Sequence, residues 1–406
     1  MGKKINPTKT LDTNDNPEFA GYNYPNGTVT HKNGVWTFVP NILPPQVSYD
    51  PETVSLLTKA TGLIGELNGI GNTVENPHLL IRLHMKREAV ASSKIEGTLA
   101  SIEDLNTYEA LGSFLKSDSE RLRMPEVVNY VDAIDWAWRQ IRDKKQPLDL
   151  SVILGAHRIL MTGIAGGDKN PGEFRAVQNL IVGREPLREW IVYVPPPPDS
   201  LNKLLQNLED FCHDEHDDIP VLVQCAMAHY QFEAIHPFGD GNGRIGRLLI
   251  LLLLCQRDVL TAPLLYMSAF FDQHKSMYYE HLLEVSRNSD WDSWLKFFLR
   301  AFVTQTTETI AGIRRLQDLR QRYQRILRDA RANINAFTVM DSLFRNPHVT
   351  VPVAQRLLNM SYATAKRSIR TLVDLGILTQ SNARYQSRIY VAFDIYEALR
   401  SVNGRG

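Results

Sequence analysis

Apolar residues recur three and four positions apart through most of residues 51 to 310, as in VSLLTKATGLIGELNGI, PEVVNYVDAIDWAWRQI and VLVQCAMAHYQFEAI. That spacing predicts a mainly α-helical domain over 51–310. One segment breaks the period. In FRAVQNLIVGREPLREWIVYVPPPP two β-rich runs flank a polar, proline-containing centre and four prolines close the second run, which predicts a β-hairpin inside the helical domain. Residues 1–50, rich in Asn, Pro, Gly and Thr, read as extended chain with a short hairpin around NGTVTHKNGVWTFV. The apolar run LLILLLLC from Leu248 falls far short of the ~20 residues of a membrane span and reads as a buried core helix.

Past residue 310 the pattern changes twice. An arginine-studded helix, IAGIRRLQDLRQRYQRILRDARA, links the domain to its C-terminal part over 311–335. In 336–406, VPVAQRLLN, a short turn and YATAKRSIRTLVDLG read as helix–turn–helix closed by Gly376, and ILTQSNARYQSRIYVA as two β-like runs around a polar tip. That order predicts a small α+β winged-helix domain, separable from the rest. The formal net charge is zero, yet residues 311–406 hold 16 Lys/Arg against 6 Asp/Glu, about +10, so the remainder sits near −10. A basic end with Lys366, Arg367 and Arg370 on one helix makes duplex DNA a candidate partner for that end alone. The three cysteines form no CxxC pair, MGKKINPTKT has no apolar signal core, and both point to a reduced cytoplasmic setting with no membrane association.

The stretch HPFGDGNGR, beginning at His236, sets a histidine, an acid and an arginine among three glycines and an asparagine, between two apolar helices. Pro237 disfavours helical geometry at His236, which therefore caps the preceding helix at the mouth of the loop. Backbone N–H groups in a glycine-rich turn at a helix start form an anion nest, aided by the helix dipole. Arg244 and Arg247, three apart in the first turn, share a face on which one polyphosphate fits. Two cations there oppose the dipole by a few tenths of a kcal/mol, about 0.3 to 1 each, unless an anion offsets them. Asp240 beside that nest suits a Mg²⁺ bridging phosphates. Together these parts describe a bound nucleoside triphosphate with a histidine base beside it.

HPFGDGNGRIGR also resembles the signature of the Fic-domain family, HxFx(D/E)GNGRxxR, and matches it at every specified position. The helical domain with its hairpin and YVPPPP looks like that family over residues 51–310. The resemblance implies that His236 removes a proton from a target hydroxyl and that Phe238 anchors the loop. It implies that Asp240 holds Mg²⁺, that Gly241, Asn242, Gly243 and Gly246 cradle phosphates, and that Arg244 and Arg247 take the β- and γ-phosphates of ATP. AMP would pass to a Ser, Thr or Tyr of a target protein, or of the chain itself, with release of pyrophosphate. The hairpin would be a flap that seats the target by strand addition, with Val182 and Gly183 beside the nucleotide. Tyr278 and Tyr279 match a tyrosine pair near the nucleotide, and core packing is an equal reading of either. A homodimer is among the partners expected of the fold.

A second short stretch, SSKIEG at 92–97, resembles the family's inhibitory-helix pattern (S/T)xxxE(G/N), with Ser92, Glu96 and Gly97 in its positions. The resemblance implies a helix near residues 80–97 whose Glu96 pairs with Arg247 and excludes a productive γ-phosphate. The same residues also permit a capping box between Ser93 and Glu96 with Gly97 as a helix end. CHDEHDD at 212–218 reads as a solvated acidic turn, and His229 as a satisfied core histidine. Two other readings compete with the adenylyltransferase: a DNA-binding winged-helix regulator with a Fic sensor, and a Fic enzyme moving another phosphate-containing group.

Overall fold

The computed structural model describes residues 3–4, 24–32, 35–73, 77–112, 123–164, 170–185, 188–216, 218–381 and 388–400. Residues 1–2, 5–23 and 33–34 of the predicted N-terminal extended segment, the predicted hairpin tip at 186–187 and the predicted wing tip at 382–387 lie outside the described residues. The N-terminal hairpin is there: β2 (Gly27–Lys32) pairs with β3 (Val35–Pro40), Val29 opposite Phe38. A two-residue strand, β1 (Lys3–Lys4), lies along the flap.

The helical domain begins with α1 (Pro51–Thr73), whose first turn is capped by Asp50 accepting from the Thr53 N–H at 2.8 Å. Then come α2 (Pro77–Ile95), α3 (Ile102–Leu111), α4 (Met124–Arg142) and α5 (Leu150–Met161). The flap is β4 (Asn179–Glu185) with β5 (Arg188–Tyr193), antiparallel, with an irregularity between Ile181 and Val182. After it come α6 (Leu201–His213), α7 (Val221–Ile235) and α8 (Asn242–Gln256). α9 (Ser268–Gln273), α10 (Lys275–Asn288) and α11 (Trp291–Asp329) complete the domain. In α8 only Gly243 and Gln256 escape burial, which is why its apolar run is unbroken rather than periodic. α7 is nearly as enclosed, and the loop from His236 to Gly241 joins these two core helices.

Two boundaries differ from the sequence pattern. The capping box forms not between Ser93 and Glu96 but at Ser101 and Asp104, where it opens α3; the Ser93 hydroxyl finds no partner. Helix α11 runs through residue 310 without interruption, with Ile310, Ile313, Leu316, Leu319, Tyr323 and Leu327 all buried. The last apolar turns of the domain and the arginine-rich segment are thus one 39-residue helix.

The C-terminal part is α12 (Ile334–Leu343), β6 (His348–Val349), α13 (Val351–Leu358), α14 (Tyr362–Asp374), β7 (Thr379–Gln380), β8 (Tyr390–Val391) and α15 (Phe393–Leu399), with strand order β6–β8–β7. Asn333, Thr350 and Ser361 each cap the helix that follows, and Asn359 in left-handed geometry ends α13. This unit shares one apolar core with the helical domain. Asn106 donates to the Tyr396 hydroxyl at 2.9 Å, Thr107 bonds His348 Nδ1 at 2.9 Å, and Arg315 Nε donates to the Ala398 carbonyl at 2.7 Å. None of the described helices is long and apolar enough to cross a membrane.

Candidate functional site

The end of α7 carries the first functional group. His236 is its C-cap in left-handed geometry, φ 49° and ψ 58°, outside the right-handed helical region that the following proline disfavours. Arg175, 6% exposed, is the clamp beneath it: Nε donates to the His236 carbonyl at 2.9 Å and Nη2 to the Pro196 carbonyl at 2.6 Å. Burial holds the His236 imidazole down at about 3, so it is neutral across physiological pH, the form that accepts a proton. Its Nδ1 is buried without a partner.

Packing and amide bonds then fix the loop. Phe238 is wholly buried and stacked on His157, ring centroids 3.7 Å apart. Asn242 grips Phe238 at both ends, accepting from its N–H and donating to its carbonyl, each at 2.8 Å. The side chain of Asn242 is therefore a brace of the loop. The Gly172 N–H donates to His157 Nδ1 at 3.0 Å, which leaves the Nε2 proton to donate to the Asp240 carbonyl at 3.0 Å. Gly241 sits at φ 81°, and a Cβ there would lie 3.2 Å from both Leu160 and Met161, so turn geometry and close packing both select glycine. The Asp240 carboxylate accepts from the Gly241 N–H at 2.7 Å and stands 3.7 Å from Arg244.

The two motif arginines do not reach outward together. Arg244, 1% exposed, turns to Glu126 at 3.1 Å, and Glu126 is gripped by Arg123 at 2.7 and 2.6 Å. Arg247 donates to the Ser92 hydroxyl at 2.8 Å, the Ser92 carbonyl at 3.0 Å and Glu96 Oε1 at 2.9 Å. The anion needed to offset two cations in a first helical turn is thus supplied from within, by Glu126, Asp240 and Glu96. Burial pushes the Glu96 carboxyl up, but Arg247 more than reverses this and leaves it below its ordinary range. A Cβ on Gly243 would come within 2.3 Å of Glu96 Oε1, so the carboxylate rests directly on the nest that the loop presents.

Gly97, at φ 87°, ends the segment carrying Ser92 and Glu96, and the Lys275 ammonium holds the Ile95 carbonyl. Tyr278 lies in the core, donating to His229 Nε2 at 2.8 Å while His229 Nδ1 donates to the Gly246 carbonyl at 2.9 Å. His229 is thereby a satisfied core histidine. Tyr279 is 40% exposed. Val182 is half-buried on the flap. His213 bonds the Leu148 carbonyl at 3.0 Å, and no group of three metal-ligating side chains occurs among the described residues.

This arrangement of a capping histidine, a braced glycine loop and two buried arginines at a helix start coincides with a match of residues 147–254 to the Fic/DOC family model. Residues 54–139 match the model of the Fic/DOC family N-terminal region. The chain belongs to the Fic/DOC family. Among curated proteins, the Fic chain is similar to protein adenylyltransferase Fic of Culex quinquefasciatus, 29% identical over 212 residues, and of Aedes aegypti, 30% identical over 213. Each match covers 50% of this chain but only 37% of the relative's length. A solved Fic family protein from Desulfovibrio desulfuricans G20 covers 86% of this chain and 98% of its own, with TM-score 0.54 and 21% identity, a likeness of fold.

Pattern reading missed Glu126, Arg123, Arg175 and His157. Glu126 and Arg123 lie more than 100 residues before the arginine they serve, inside and beside an ordinary amphipathic helix, where charged residues carry no signal. Arg175 and His157 act on backbone carbonyls, which leave no trace in side-chain sequence.

Proposed function

We propose that this chain is a Mg²⁺-dependent protein adenylyltransferase, restrained by its own Glu96. The observation that carries the reading is a neutral histidine at the mouth of a glycine nest, with Arg247 of α8 already claimed by the Glu96 carboxylate just past the end of α2. His236 takes the proton of a target Ser, Thr or Tyr hydroxyl as its oxygen attacks the α-phosphorus of ATP. The bond from that phosphorus to the bridging oxygen breaks, and pyrophosphate leaves. The turn through Gly241, Asn242 and Gly243 would cradle the phosphates at the start of α8, whose dipole adds to the pull. Arg244, preset by Glu126, and Arg247, once released, balance the β- and γ-phosphate charge.

The donor set fits magnesium: a lone carboxylate, Asp240, at the rim of an anion nest suits an ion that keeps most of its waters and shares phosphate oxygens. Bound there, the ion neutralises phosphate charge. Two ties set the flap for an incoming strand: Tyr193 donates to the Ala234 carbonyl at 2.9 Å, and Asn179 Nδ2 to the Phe238 carbonyl at 3.0 Å. Val182 and Gly183 lie on that flap.

Incubation with labelled ATP and Mg²⁺, read by intact mass, tests the assignment. An AMP adduct is expected, lowered about 10²- to 10⁴-fold in His236→Ala with ATP binding preserved. A phosphate adduct, or an unimpaired variant, overturns it. A second surface supports contact with an anionic partner such as duplex DNA: Lys366, Arg367 and Arg370 are all exposed on α14 of what we read as a winged helix. A gel shift of random duplex that weakens steeply with salt is expected of it.

A further inference from the structure

Helix α2 ends at Ile95, and Glu96 is presented by the turn that follows. A helix C-terminus leaves its final carbonyls without helical partners, so something else must satisfy them. Here the Ser93 carbonyl accepts from the Glu96 and Thr98 N–H groups at 3.1 and 3.0 Å, and the Lys94 carbonyl from the Gly97 N–H at 2.9 Å. Among the described residues no backbone N–H reaches the carbonyls of Ile95 and Glu96. Cations from distant parts of the chain take both. Lys275, at the start of α10, donates to the Ile95 carbonyl, and Arg123, just before α4, donates to the Glu96 carbonyl at 3.4 Å. With Arg247 on the Ser92 carbonyl at 3.0 Å, three side-chain cations converge on one helix end, where the negative pole of the dipole favours them.

The three are not equivalent. Arg247 belongs to the motif helix itself. Arg123 is shared: Nε and Nη2 grip Glu126 at 2.7 and 2.6 Å, and Glu126 in turn holds Arg244, so the Glu96 carbonyl receives only a long third bond. Lys275 has no such second duty. Among the described residues it pairs with no carboxylate and its ammonium bonds the Ile95 carbonyl alone, 5.9 Å from the centroid of the Tyr279 ring, which steadies it. The remaining tie of this helix end, Lys94 to Asp272 at 3.0 Å, is an exposed pair and contributes little.

We propose that Lys275 is the backbone half of the latch that keeps Glu96 on Arg247: it pins the carbonyl next to Glu96, so the turn must let go of Lys275 before the carboxylate can withdraw. The inference rests on the reading of Glu96 as a restraint on transfer. Lys275 is then a positioning residue, acting through Glu96 on Arg247 and needing no contact with nucleotide or target. A hydrogen bond from a charged donor is worth more than a neutral one, which is why the loss of this single amine is enough to loosen the turn.

Amide hydrogen exchange of the full chain without nucleotide, set beside self-labelling with ATP and Mg²⁺, tests it. Lys275→Met keeps an apolar stem and loses the donor. In that variant exchange over residues 92–98 should rise at least about fivefold, while the amides of α7 stay within about twofold of wild type. Lys275→Arg, which still donates, should restore most of the protection. Self-labelling by Lys275→Met should rise at least about threefold, and in a Glu96→Gly chain the same substitution should add nothing, because the restraint it serves is gone. Unchanged exchange over 92–98 overturns the proposal. So does a rise shared by α7, which marks a structural role only, or a labelling gain that survives in Glu96→Gly. If no form carries an AMP adduct, the transfer reading fails, and exchange alone decides whether Lys275 holds the turn.

Discussion

Three hydrogen bonds hold the Arg247 guanidinium, two to Ser92 and one to Glu96. Replacing Glu96 by Gly removes the only carboxylate among them and, on the proposed reading, frees the arginine for phosphate. Misplacement of a reacting group by ~1 Å costs about 10²-fold, so Glu96→Gly should raise self-labelling at least about tenfold, and the gain should vanish in Glu96→Gly/Arg247→Ala. An unchanged rate would end the self-restraint reading and leave the family assignment standing. Glu126 governs Arg244 in the same way but as a positioning residue. With Glu126→Ala, Arg244 keeps only the weaker approach of Asp240 at 3.7 Å. A buried cation losing its partner costs about 3–5 kcal/mol, so urea unfolding should show a large drop for Glu126→Ala and a much smaller one for Glu126→Gln, which still accepts a hydrogen bond.

At the scale of elements, α3 and α11 decide what can be cut away. The sequence pattern places a boundary near 310, yet ending the chain there severs α11 and strips the buried Ile313, Leu316, Leu319, Tyr323 and Leu327 from the core. It also leaves Asn106 and Thr107 of α3 without Tyr396 and His348, and the Lys86 ammonium without the Arg345 carbonyl. Large-to-small losses in a core cost about 2–5 kcal/mol each, more than the stability of an ordinary domain once several are summed. A chain ended at residue 310 should therefore be insoluble or unfolded by circular dichroism. A soluble form melting near the wild-type temperature would show that the C-terminal unit is independent after all.

The whole molecule carries an acid-sensitive set of groups. Burial holds His84, His229 and His236 at about 3, and His157 and His348 at about 4, against about 6.5 in an unfolded chain. Below about pH 6.5 the unfolded state binds protons that the folded state refuses, so stability present above that value is lost as pH falls, up to about 1.4 kcal/mol per unit for each histidine. Glu88 and Glu233, raised to about 7 by burial, work the other way: the folded state takes up their protons first as pH falls toward 4.5. Five groups outweigh two. The melting temperature should fall between about pH 7 and pH 5, and a flat or rising profile would contradict the burial of these rings.

Local chemistry was legible from the chain alone. Helical period, the hairpin's β-rich runs, the helix end that Pro237 sets at His236 and the glycine turn after it all follow from neighbours within a few residues, where backbone sterics act. The pairing of Glu96 with Arg247 was legible only through the motif's likeness, since nothing local links positions 151 residues apart, and the bonds of Arg247 to Ser92 were not legible at all. Only the tertiary structure decided which acid each arginine meets, that Asn242 braces Phe238, that Arg175 clamps the His236 carbonyl, and that α11 runs on through the expected boundary. Those outcomes depend on desolvation and close approach between distant segments. A charged residue on an amphipathic helix reads the same in sequence whether it ends in water, like Lys94, or beneath the glycine loop, like Glu126.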